Sequence, residues 1–481
     1  MIPALQGSDF FIFLVPLAVT VLLYVRTSKR SGLPYPPGPR KLPLLGNALQ
    51  IPTIFEWLTY ARWAKEYKSD VIHLTAFGSN IIVLNSHKAA VDLLEKRSSI
   101  YSSRPHFTML SELMGWRSFI FTMPYGDQWR ESRRAFVEYF QSSDGARFHV
   151  SHMEYIGKML PRLLDTPQDF LDTTRHAAGE LSLSTAYGIP ILPTNDPFLT
   201  LAEQSVASLL AATAPGAFLV DMVPLLKYVP DSEYIPGAGF QKKARVWREL
   251  QEEMREAAYQ ETVRTMASGI FKPSFTSTSL QNLNESADLS HQREVIRDTA
   301  AMVFIAGADT TLSAIHTFFA AMLCFPETQY KAQEELDRVL NGKLPEFSDE
   351  DDLPYVSALV KEVLRWKPVT PVAVPHCVTE DDIYEGYHIP KGSTVIPNIW
   401  AMLYNEEEYP NPSTFDPDRF MKDGLLNLAV RDPASVAFGF GRRMCPGNQV
   451  ALSATFDISE AFDDDGNPIA PSIEYHSGLA W

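Results

Sequence analysis

One cysteine stands in a glycine-rich stretch near the C-terminus, in surroundings that suit a metal-binding thiolate. Residues 438–447 read Phe-Gly-Phe-Gly-Arg-Arg-Met-Cys-Pro-Gly, so three glycines surround Cys445. Glycine lets a backbone turn with positive φ or pass close to a flat ligand. Arg443 adds a cation, and Pro446 is typical of a helix first turn, whose N–H groups favour a thiolate. The stretch therefore predicts an axial metal ligand.

The alternatives for residues 438–447 are a buried structural cysteine and a dinucleotide-binding loop. A lone cysteine in a glycine-rich turn is often a buried structural residue. A dinucleotide-binding GxGxxG loop is excluded, because Met444 stands at the third glycine position and no strand–helix unit follows. The other two cysteines, Cys324 and Cys377, form no CxxC pair, which excludes a zinc ribbon or a thioredoxin-like site. Three thiols in 481 residues indicate a reducing compartment.

Two further segments carry residues whose spacing could serve chemistry. Glu362 and Arg365 are three positions apart, so they share one helix face and can pair, although such a pair is ordinarily a surface feature. Residues 306–311 read Ala-Gly-Ala-Asp-Thr-Thr within a long apolar stretch. Small residues there would leave room beside a planar cofactor, but a helix–helix contact also explains them. The Thr310 hydroxyl could bond to a carbonyl of the preceding turn.

Taken in order, these motifs resemble those of the cytochrome P450 family. Every fixed position of the family's FxxGxRxCxG loop is matched, by Phe438, Gly441, Arg443, Cys445 and Gly447. The other resemblances are Trp129-Arg130-Glu131-Ser132-Arg133 to its WxxxR element, residues 306–311 to its oxygen-binding helix, Glu362-Val363-Leu364-Arg365 to its ExxR motif, and Pro417-Asp418-Arg419-Phe420 to its second arginine motif. The motifs follow the family's order from about residue 34 to 447.

The resemblance implies a mainly α fold with a small β portion and a haem b cofactor whose iron is bound by Cys445. Thr310 would steady dioxygen, and Asp309 with water would deliver protons for cleavage of its O–O bond. Glu362, Arg365 and Arg419 would form a buried structural triad. The residues implied to bind haem, several of them through its propionates, are Cys445, Arg104, Trp129, Arg133, His376, Arg443, Phe438 and Gly447. A solvent-facing loop position is the alternative for His376.

The N-terminus predicts a membrane anchor. Residues 10–25 form an uncharged, mostly apolar run of roughly 24 Å, followed by Arg26, Lys29 and Arg30. The positive-inside rule then places the body in the cytoplasm. A cleaved signal peptide is the alternative, but its positive charge would precede the run. We expect residues 1–30 to be a single-pass anchor in the endoplasmic reticulum membrane, 31–43 a stiff Pro-rich linker, and 44–481 the haem domain.

Periodicity predicts the elements that must position these motifs. We expect a strand over 78–84, helices over 88–96, 241–265, 297–323, 326–340 and 353–366, short strands within 376–399, and a mobile surface loop over 274–290. Apolar residues of 107–121, with Val372 and Val374, are candidate pocket walls or ordinary core. No internal repeat is visible, which favours one large domain.

Composition narrows the function. Lys plus Arg total 42 against 58 Asp plus Glu, a net charge of −16, so nucleic acid is not an expected partner. No flavin or dinucleotide loop is visible, so the electrons would come from NADPH through a separate P450 reductase. The sequence therefore predicts a haem-thiolate monooxygenase that inserts one oxygen atom of O2 into an apolar small molecule.

The C-terminal part departs from the family pattern. Only 36 of the 481 residues follow Cys445, whereas the family continues with a long helix and a β-hairpin; both look shortened here. Two alternatives remain open: an isomerase or dehydratase of this fold that consumes no O2, which the intact Asp309–Thr310 pair disfavours, and an inactive, haem-free membrane protein. The overall pattern resembles microsomal members of fungal type, which often oxidise terpenoids or polyketides in secondary metabolism.

Overall fold

Helices make up most of the body, as the sequence predicts. The computed structural model describes residues 32–140, 146–214, 216–230, 239–343 and 346–447. Within these ranges ten helices have seven or more residues: α1 Glu56–Tyr67, α2 Asp127–Phe140, α3 Ala146–Asp165, α4 Phe170–Tyr187, α5 Pro197–Thr213, α6 Phe240–Ala267, α7 Phe275–Gln281, α8 Leu289–Cys324, α9 Pro326–Leu340 and α10 Pro354–Trp366. The predicted helices 241–265, 326–340 and 353–366 are confirmed as α6, α9 and α10.

Shorter helical segments connect the long helices. They are His87–Ala90, Val91–Glu95, Ser98–Tyr101, Thr108–Leu113, Trp116–Ser118, Pro167–Asp169, Leu219–Met222, Pro224–Tyr228, Phe347–Asp352, Ile399–Leu403, Pro417–Phe420, Ala434–Ala437 and Gly441–Arg443. Val91–Glu95 and Thr108–Leu113 are π-helical. The first two segments together confirm the short helix predicted over 88–96.

The β portion is small, as predicted. Its strands are β1 Val71–Ala76, β2 Ser79–Leu84, β3 His376–Cys377, β4 Asp382–Tyr384, β5 Tyr387–Ile389, β6 Thr394–Pro397, β7 Met421–Lys422 and β8 Leu425–Leu426. One four-stranded sheet has the order β1-β2-β6-β3, while β4-β5 and β7-β8 are hairpins. Strand β2 runs antiparallel to β1 and parallel to β6. Strand β3 joins the sheet edge by pairing His376 with Val395.

Helix α8 is the central element of the core. It packs against α2, α4, α6, α7, α9 and α10. Its first turn is capped by the carboxylate of Asp288, which accepts from the N–H groups of Ser290 and His291. The helix begins eight residues before the predicted start, because its first turns are polar and escape an apolar pattern. Among the described residues α8 alone is long and apolar enough to cross a membrane, and its packing assigns it to the core.

The loop predicted over 274–290 is wrong for its first half, which forms α7. Ser274 and Ser277 cap this helix reciprocally, with hydroxyl–N–H distances of 3.1 and 2.8 Å. Phe275, Thr276 and Ser277 are buried. The Thr276 hydroxyl donates to the Ala186 carbonyl oxygen at 2.7 Å. The Ser/Thr-rich composition thus reflects capping and buried hydrogen bonds rather than exposure to solvent.

The Pro-rich segment, predicted as a linker, packs on the body. The Tyr35 ring stacks on His73 with 4.6 Å between centroids and lies 5.6 Å from the His388 ring. The Pro37 carbonyl accepts from the His73 N–H at 2.9 Å. A Cβ on Gly38 would lie 2.3 Å from the His73 carbonyl oxygen, so a side chain is excluded there. The predicted anchor, residues 1–30, lies outside the described residues.

A buried ion triad ties α10 to the chain that leads toward the cysteine loop. Arg365 donates through Nε and Nη2 to the two carboxylate oxygens of Glu362, each at 2.7 Å, and Arg419 donates to Glu362 at 3.2 Å. The side chains of Glu362 and Arg365 are fully buried. Arg365 also donates to the carbonyl oxygens of Leu403, Pro412 and Thr414. Removing one partner from such a buried network typically costs about 3–5 kcal/mol, because a charge is left uncompensated.

Candidate active site

Tight backbone contacts hold the loop that carries Cys445. Its N–H donates to the Phe438 carbonyl at 2.8 Å, which closes residues 438–445 into a loop. Gly439 and Gly441 have φ of +76° and +57°, the left-handed region that favours glycine. A Cβ on Gly441 would lie 2.2 Å from the Leu94 carbonyl oxygen. The loop therefore touches the π-helical segment 91–95 through a position that only glycine fits.

The Cys445 thiol is free and forms no disulfide. The side chain is solvent-accessible, yet protein surrounds it on most sides. Burial raises the pKa of the thiol, while the Gly447 N–H and the charge of Arg133 act in the opposite direction. The neutral thiol is thus favoured until a cation replaces its proton. A helix predicted to begin at Pro446 would continue beyond Gly447, outside the described residues.

The surroundings of Cys445 do not form an ordinary metal site. Among the described residues no three His, Cys, Asp or Glu side chains come together in a way that could hold a metal ion. Among these residues Cys445 would therefore suit a metal that brings most of its other ligands with it. A metal in a flat macrocycle satisfies that requirement.

Arg443 joins the cysteine loop to the segment before α2. Its guanidinium donates to the carbonyl oxygens of Ser102, Ile120 and Met123 at 2.7, 2.9 and 2.7 Å. The same group lies 4.5 Å from the centroid of the buried Trp129 ring. A planar guanidinium suits both contacts, because it can donate in several directions and stack on an aromatic face.

Three guanidinium groups converge here, and no carboxylate of the described residues pairs with them. Burial and the charges of Arg104 and Arg133 lower the pKa of Arg443. Arg104 donates only to the carbonyls of Val374 and Pro375, at 2.8 and 2.9 Å, and its buried Nε has no partner. In the described part of the chain Arg133 has no hydrogen-bond or ion-pair partner. Such uncompensated positive charge predicts an anionic ligand with carboxylate groups.

His376 belongs to the same cluster and is buried in β3, so the solvent-facing alternative is wrong. Its Nδ1 lies 2.8 Å from the Tyr101 carbonyl oxygen. Because a carbonyl only accepts, this nitrogen carries the proton. Burial and the charges of Arg104 and Arg443 hold the pKa of His376 well below its usual value. The imidazole is therefore neutral around the cluster of arginines.

Helix α8 carries Thr310 at an exposed position and Asp309 at a half-buried one. The Thr310 hydroxyl donates to the Ala306 carbonyl at 2.6 Å, the bond to the preceding turn that the sequence suggests. Thr310 is exposed although Ile305 and Ser313, on the same helix, are buried. Burial raises the pKa of Asp309. Thr310 therefore borders open space, whereas Asp309 is partly covered by protein.

Gly307 serves helix packing. A Cβ at this position would lie 2.7 Å from the Ser182 hydroxyl of α4. The interpretation that this glycine leaves room for a cofactor is therefore wrong, and the helix–helix alternative holds for this residue. Close approach of α4 and α8 needs a residue without a side chain at the contact.

Most of the residues suggested as pocket walls belong to the core. Met109, Trp116 and Phe119 are fully buried, and Val372 packs in a separate cluster beside α1. The half-buried apolar side chains that pack around the same core are Phe107, Leu113, Phe121 and, from α8, Met302. These remain the candidate walls.

Tyr125 is a contact that sequence reasoning missed. Its hydroxyl accepts from Arg442 at 2.6 Å, and its ring lies 5.2 Å from Trp129. Arg130 lies 5.3 Å from the Tyr125 centroid on the same side. More than three hundred residues separate Tyr125 from Arg442, so no local spacing could have signalled the pair.

Comparison with known proteins gives this geometry its context. The family model "Cytochrome P450" matches residues 36–458. The chain belongs to the cytochrome P450 family. It is 45% identical over 473 residues to cytochrome P450 monooxygenase ple1 of Rhodocybe pseudopiperita, an alignment that covers 96% of this chain and 90% of that protein. It is 42% identical over 484 residues to cytochrome P450 monooxygenase 98 of Postia placenta, covering 98% and 92%.

A further fungal relative is named for its reaction. Tryptamine 4-monooxygenase of Psilocybe cyanescens is 40% identical over 484 residues, covering 97% of this chain and 95% of the relative. These matches confirm the predicted family, the mainly α P450 fold and the class of oxidoreductase, a monooxygenase with a haem cofactor. They do not favour the isomerase or dehydratase alternative. The guanidinium groups of Arg104, Arg133 and Arg443 would suit the carboxylates of a haem, and the Cys445 thiol would suit its iron.

Replacing Gly441 should reduce stability and haem content more than replacing Gly439. We expect Gly441→Ala to lower the free energy of unfolding by about 3 kcal/mol and to reduce haem content strongly, because a Cβ would meet the Leu94 carbonyl. The matched control, Gly439→Ala, adds only positive-φ strain of about 1 kcal/mol, since nothing lies within 4 Å of its Cβ. Thermal unfolding and haem content check this; equal losses in the two variants would contradict it.

Proposed function

We propose that this P450 is a membrane-attached monooxygenase that uses haem b and inserts one atom of O2 into an apolar small molecule of terpenoid or polyketide type. The observation that carries the cofactor assignment is the group of three arginines, which no carboxylate of the described residues offsets, next to the accessible thiol of Cys445. Haem b carries two carboxylates and is not attached through thioether bonds. Both features agree with a cluster that contains cations and one cysteine.

Each residue of the cluster has a part in holding the cofactor. Arg104, Arg133 and Arg443 would bind the haem carboxylates, and the Trp129 ring would keep the Arg443 guanidinium in place. Cys445 would bind the iron as a thiolate. When bound, haem supplies the iron chemistry that activates O2. Phe438 and Gly447 would shape the loop around the sulfur rather than take part in the reaction.

Thr310 and Asp309 would handle protons on the α8 side. Because the Thr310 hydroxyl donates its hydrogen to Ala306, its oxygen lone pairs remain free to accept from water. Burial raises the pKa of Asp309 against the opposing charge of Arg175, which favours the protonated carboxyl that can donate a proton. Together they would pass protons from water to the reacting oxygen. In this proposal neither residue binds the cofactor.

The electron donor would be a separate NADPH-dependent P450 reductase. Three exposed cations, Arg130, Arg134 and Arg442, lie on α2 and the cysteine loop. Arg130 and Arg442 meet at Tyr125, so two of these charges are held on one side of the loop. Asp127 pairs with Arg130, so Arg134 and Arg442 would supply most of the positive charge that attracts an acidic flavoprotein to this side. The pocket side would be apolar, formed by Phe107, Leu113, Phe121 and Met302.

Replacing the cysteines tests the cofactor assignment. We expect Cys445→Ala to abolish the long-wavelength Soret band of thiolate-ligated haem in the carbon-monoxide difference spectrum of the reduced protein. Cys377→Ala is the matched control, because Cys377 is a half-buried free thiol in β3 near Arg104, and this variant should keep the band. A wild-type protein without the band would support the haem-free alternative. Retention of the band in Cys445→Ala would contradict the ligand assignment.

Thr310 should control how much product forms for each NADPH that is consumed. With reductase, NADPH and a substrate that the wild type converts, we expect Thr310→Ala to form about tenfold less product per NADPH consumed, with hydrogen peroxide rising. Thr311→Ala, at the neighbouring position, is the control and should form as much product per NADPH consumed as the wild type. Omitting the reductase should stop turnover. Normal coupling in Thr310→Ala, or product formation without O2 consumption, would contradict the proposed reaction.

Membrane attachment would use residues 10–25 and the apolar surface that follows. Exposed apolar side chains cluster early in the body: Leu42, Leu44, Leu49 and Ile54. Leu14→Glu combined with Leu17→Glu should release the chain from membranes washed with alkaline carbonate, because each central charge costs about 2.5–3.5 kcal/mol. Leu44→Glu, outside the apolar run, should stay bound. Retention of the double variant would contradict the single-pass anchor.

A further inference from the structure

Helix α8 carries two half-buried titratable side chains, Asp309 and His316, on one of its sides. Their spacing of seven residues is two helical turns, so they lie about 10 Å apart along the helix axis. Ser313 lies between them and completes an i, i+4, i+7 pattern. We call Asp309, Ser313 and His316 the polar row of α8. Its inner end is the carboxyl that lies next to Thr310 in the chain.

Ser313 has a hydroxyl that can form two hydrogen bonds within this row. The residue is 5% exposed, and its hydroxyl oxygen has no hydrogen-bond partner. Side chains on a helix lean toward the preceding turn, which directs Ser313 toward Asp309 and the ring of His316 toward Ser313. A buried hydroxyl without partners costs about 1–3 kcal/mol, and a hydroxyl can donate and accept at the same time. Ser313 therefore suits a bridge between a carboxyl and an imidazole.

The His316 ring is held by α4 through one of its nitrogens. Nε2 lies 3.1 Å from the Thr174 hydroxyl oxygen. That hydroxyl donates its hydrogen to the Phe170 carbonyl at 2.7 Å, so it accepts from Nε2, which carries a proton. In the neutral ring Nδ1 is then unprotonated, and among the described residues it has no hydrogen-bond partner. Nδ1 is also the ring nitrogen nearer to α8, where Ser313 lies.

Charged residues lie at the outer end of the row, on the protein surface. Arg175 is exposed on α4 and pairs with Asp172 at 2.9 Å and with Glu203 of α5 at 3.8 Å. Burial and the charge of Arg175 lower the pKa of His316. Burial raises the pKa of Asp309 against the same charge. The two pKa values therefore move toward each other, which makes the transfer of a proton from one group to the other less unfavourable in either direction.

We propose that His316 and Ser313 supply the protons that Asp309 gives up during the reaction. Protonated His316 transfers the hydrogen of Nδ1 to the Ser313 oxygen, while the hydrogen of that hydroxyl moves to the Asp309 carboxylate. Asp309 then gives its proton to water beside Thr310, and His316 regains one from solvent. Both residues act through Asp309 and touch neither substrate nor cofactor. This inference rests on the proposed function and adds the source of its protons.

Removing the Ser313 hydroxyl tests the row. With reductase, NADPH and a sesquiterpene hydrocarbon that the wild type oxidises, we expect Ser313→Ala to consume NADPH about tenfold more slowly. The solvent deuterium isotope effect should also be larger, because water must replace the hydroxyl. Thr317→Val is the matched control, since Thr317 is another buried α8 hydroxyl without a partner but lies beyond His316. This variant should keep the wild-type rate. All proteins are compared at equal content of the thiolate Soret band.

Replacing His316 gives a pH profile that a merely structural residue would not change. The wild-type rate, relative to that of His316→Gln, should rise as the pH falls below about 6.5, because the protonated fraction of His316 grows toward its lowered pKa. His176→Gln, at a half-buried histidine of α4, should follow the wild type. If Ser313→Ala loses haem, this comparison decides.

Histidine NMR supplies a readout that does not depend on turnover. In reduced, carbon-monoxide-bound protein labelled with 15N-histidine, His316 should titrate at lower pH in Ser313→Ala than in the wild type, because the imidazolium loses an acceptor. Equal rates in Ser313→Ala and Thr317→Val, equal pH profiles of the wild type and His316→Gln, or an unchanged His316 titration would overturn this proposal and leave the monooxygenase standing. A wild type that forms no product from O2 would instead overturn the proposed function.

Discussion

Repulsion among Arg104, Arg133 and Arg443 is the interaction on which the rest of this site depends. The described residues supply no carboxylate to offset it, so backbone carbonyls and the Trp129 ring must hold the guanidinium groups in place. Such an arrangement is costly for the protein alone and becomes favourable when an anionic cofactor arrives. The accessible thiol of Cys445 adds the metal contact. Together the two features favour the proposed haem site.

The scaffold keeps these groups in register from two directions. The buried carboxylate of Glu362 fixes Arg365 and Arg419, and these arginines bind the carbonyls of the chain that leads to the cysteine loop. From the other side, the π-helical segment 91–95 meets that loop at Gly441. Helix α8 then presents Thr310 at an exposed position between the buried residues Ile305 and Ser313. The ion network of Glu362 and the close contact at Gly441 therefore position the cysteine loop. In the proposed function, α8 would border the space in which the substrate reacts.

Patterns in the sequence predicted the elements that interactions between nearby residues determine. The apolar period revealed α6, α9 and α10, and the ordered motifs revealed the family and the residues of the cluster. The Ser/Thr-rich segment that forms α7 was misjudged, because its hydroxyls find partners such as Ala186 far along the chain. The contact of Gly307 with Ser182 and that of Tyr125 with Arg442 were not predicted for the same reason, because both depend on tertiary packing. The predicted C-terminal shortening lies beyond residue 447, outside the described residues.

The central claim is that the three arginines form the binding site for the haem carboxylates, with Cys445 as the iron ligand. A crystal structure of the full chain isolated with its cofactor tests it most directly. We expect that both carboxylates lie within hydrogen-bond distance of guanidinium groups of Arg104, Arg133 and Arg443, and that the Cys445 sulfur is bonded to iron. Carboxylates that point away from this cluster, or iron bound through another side chain, would contradict it.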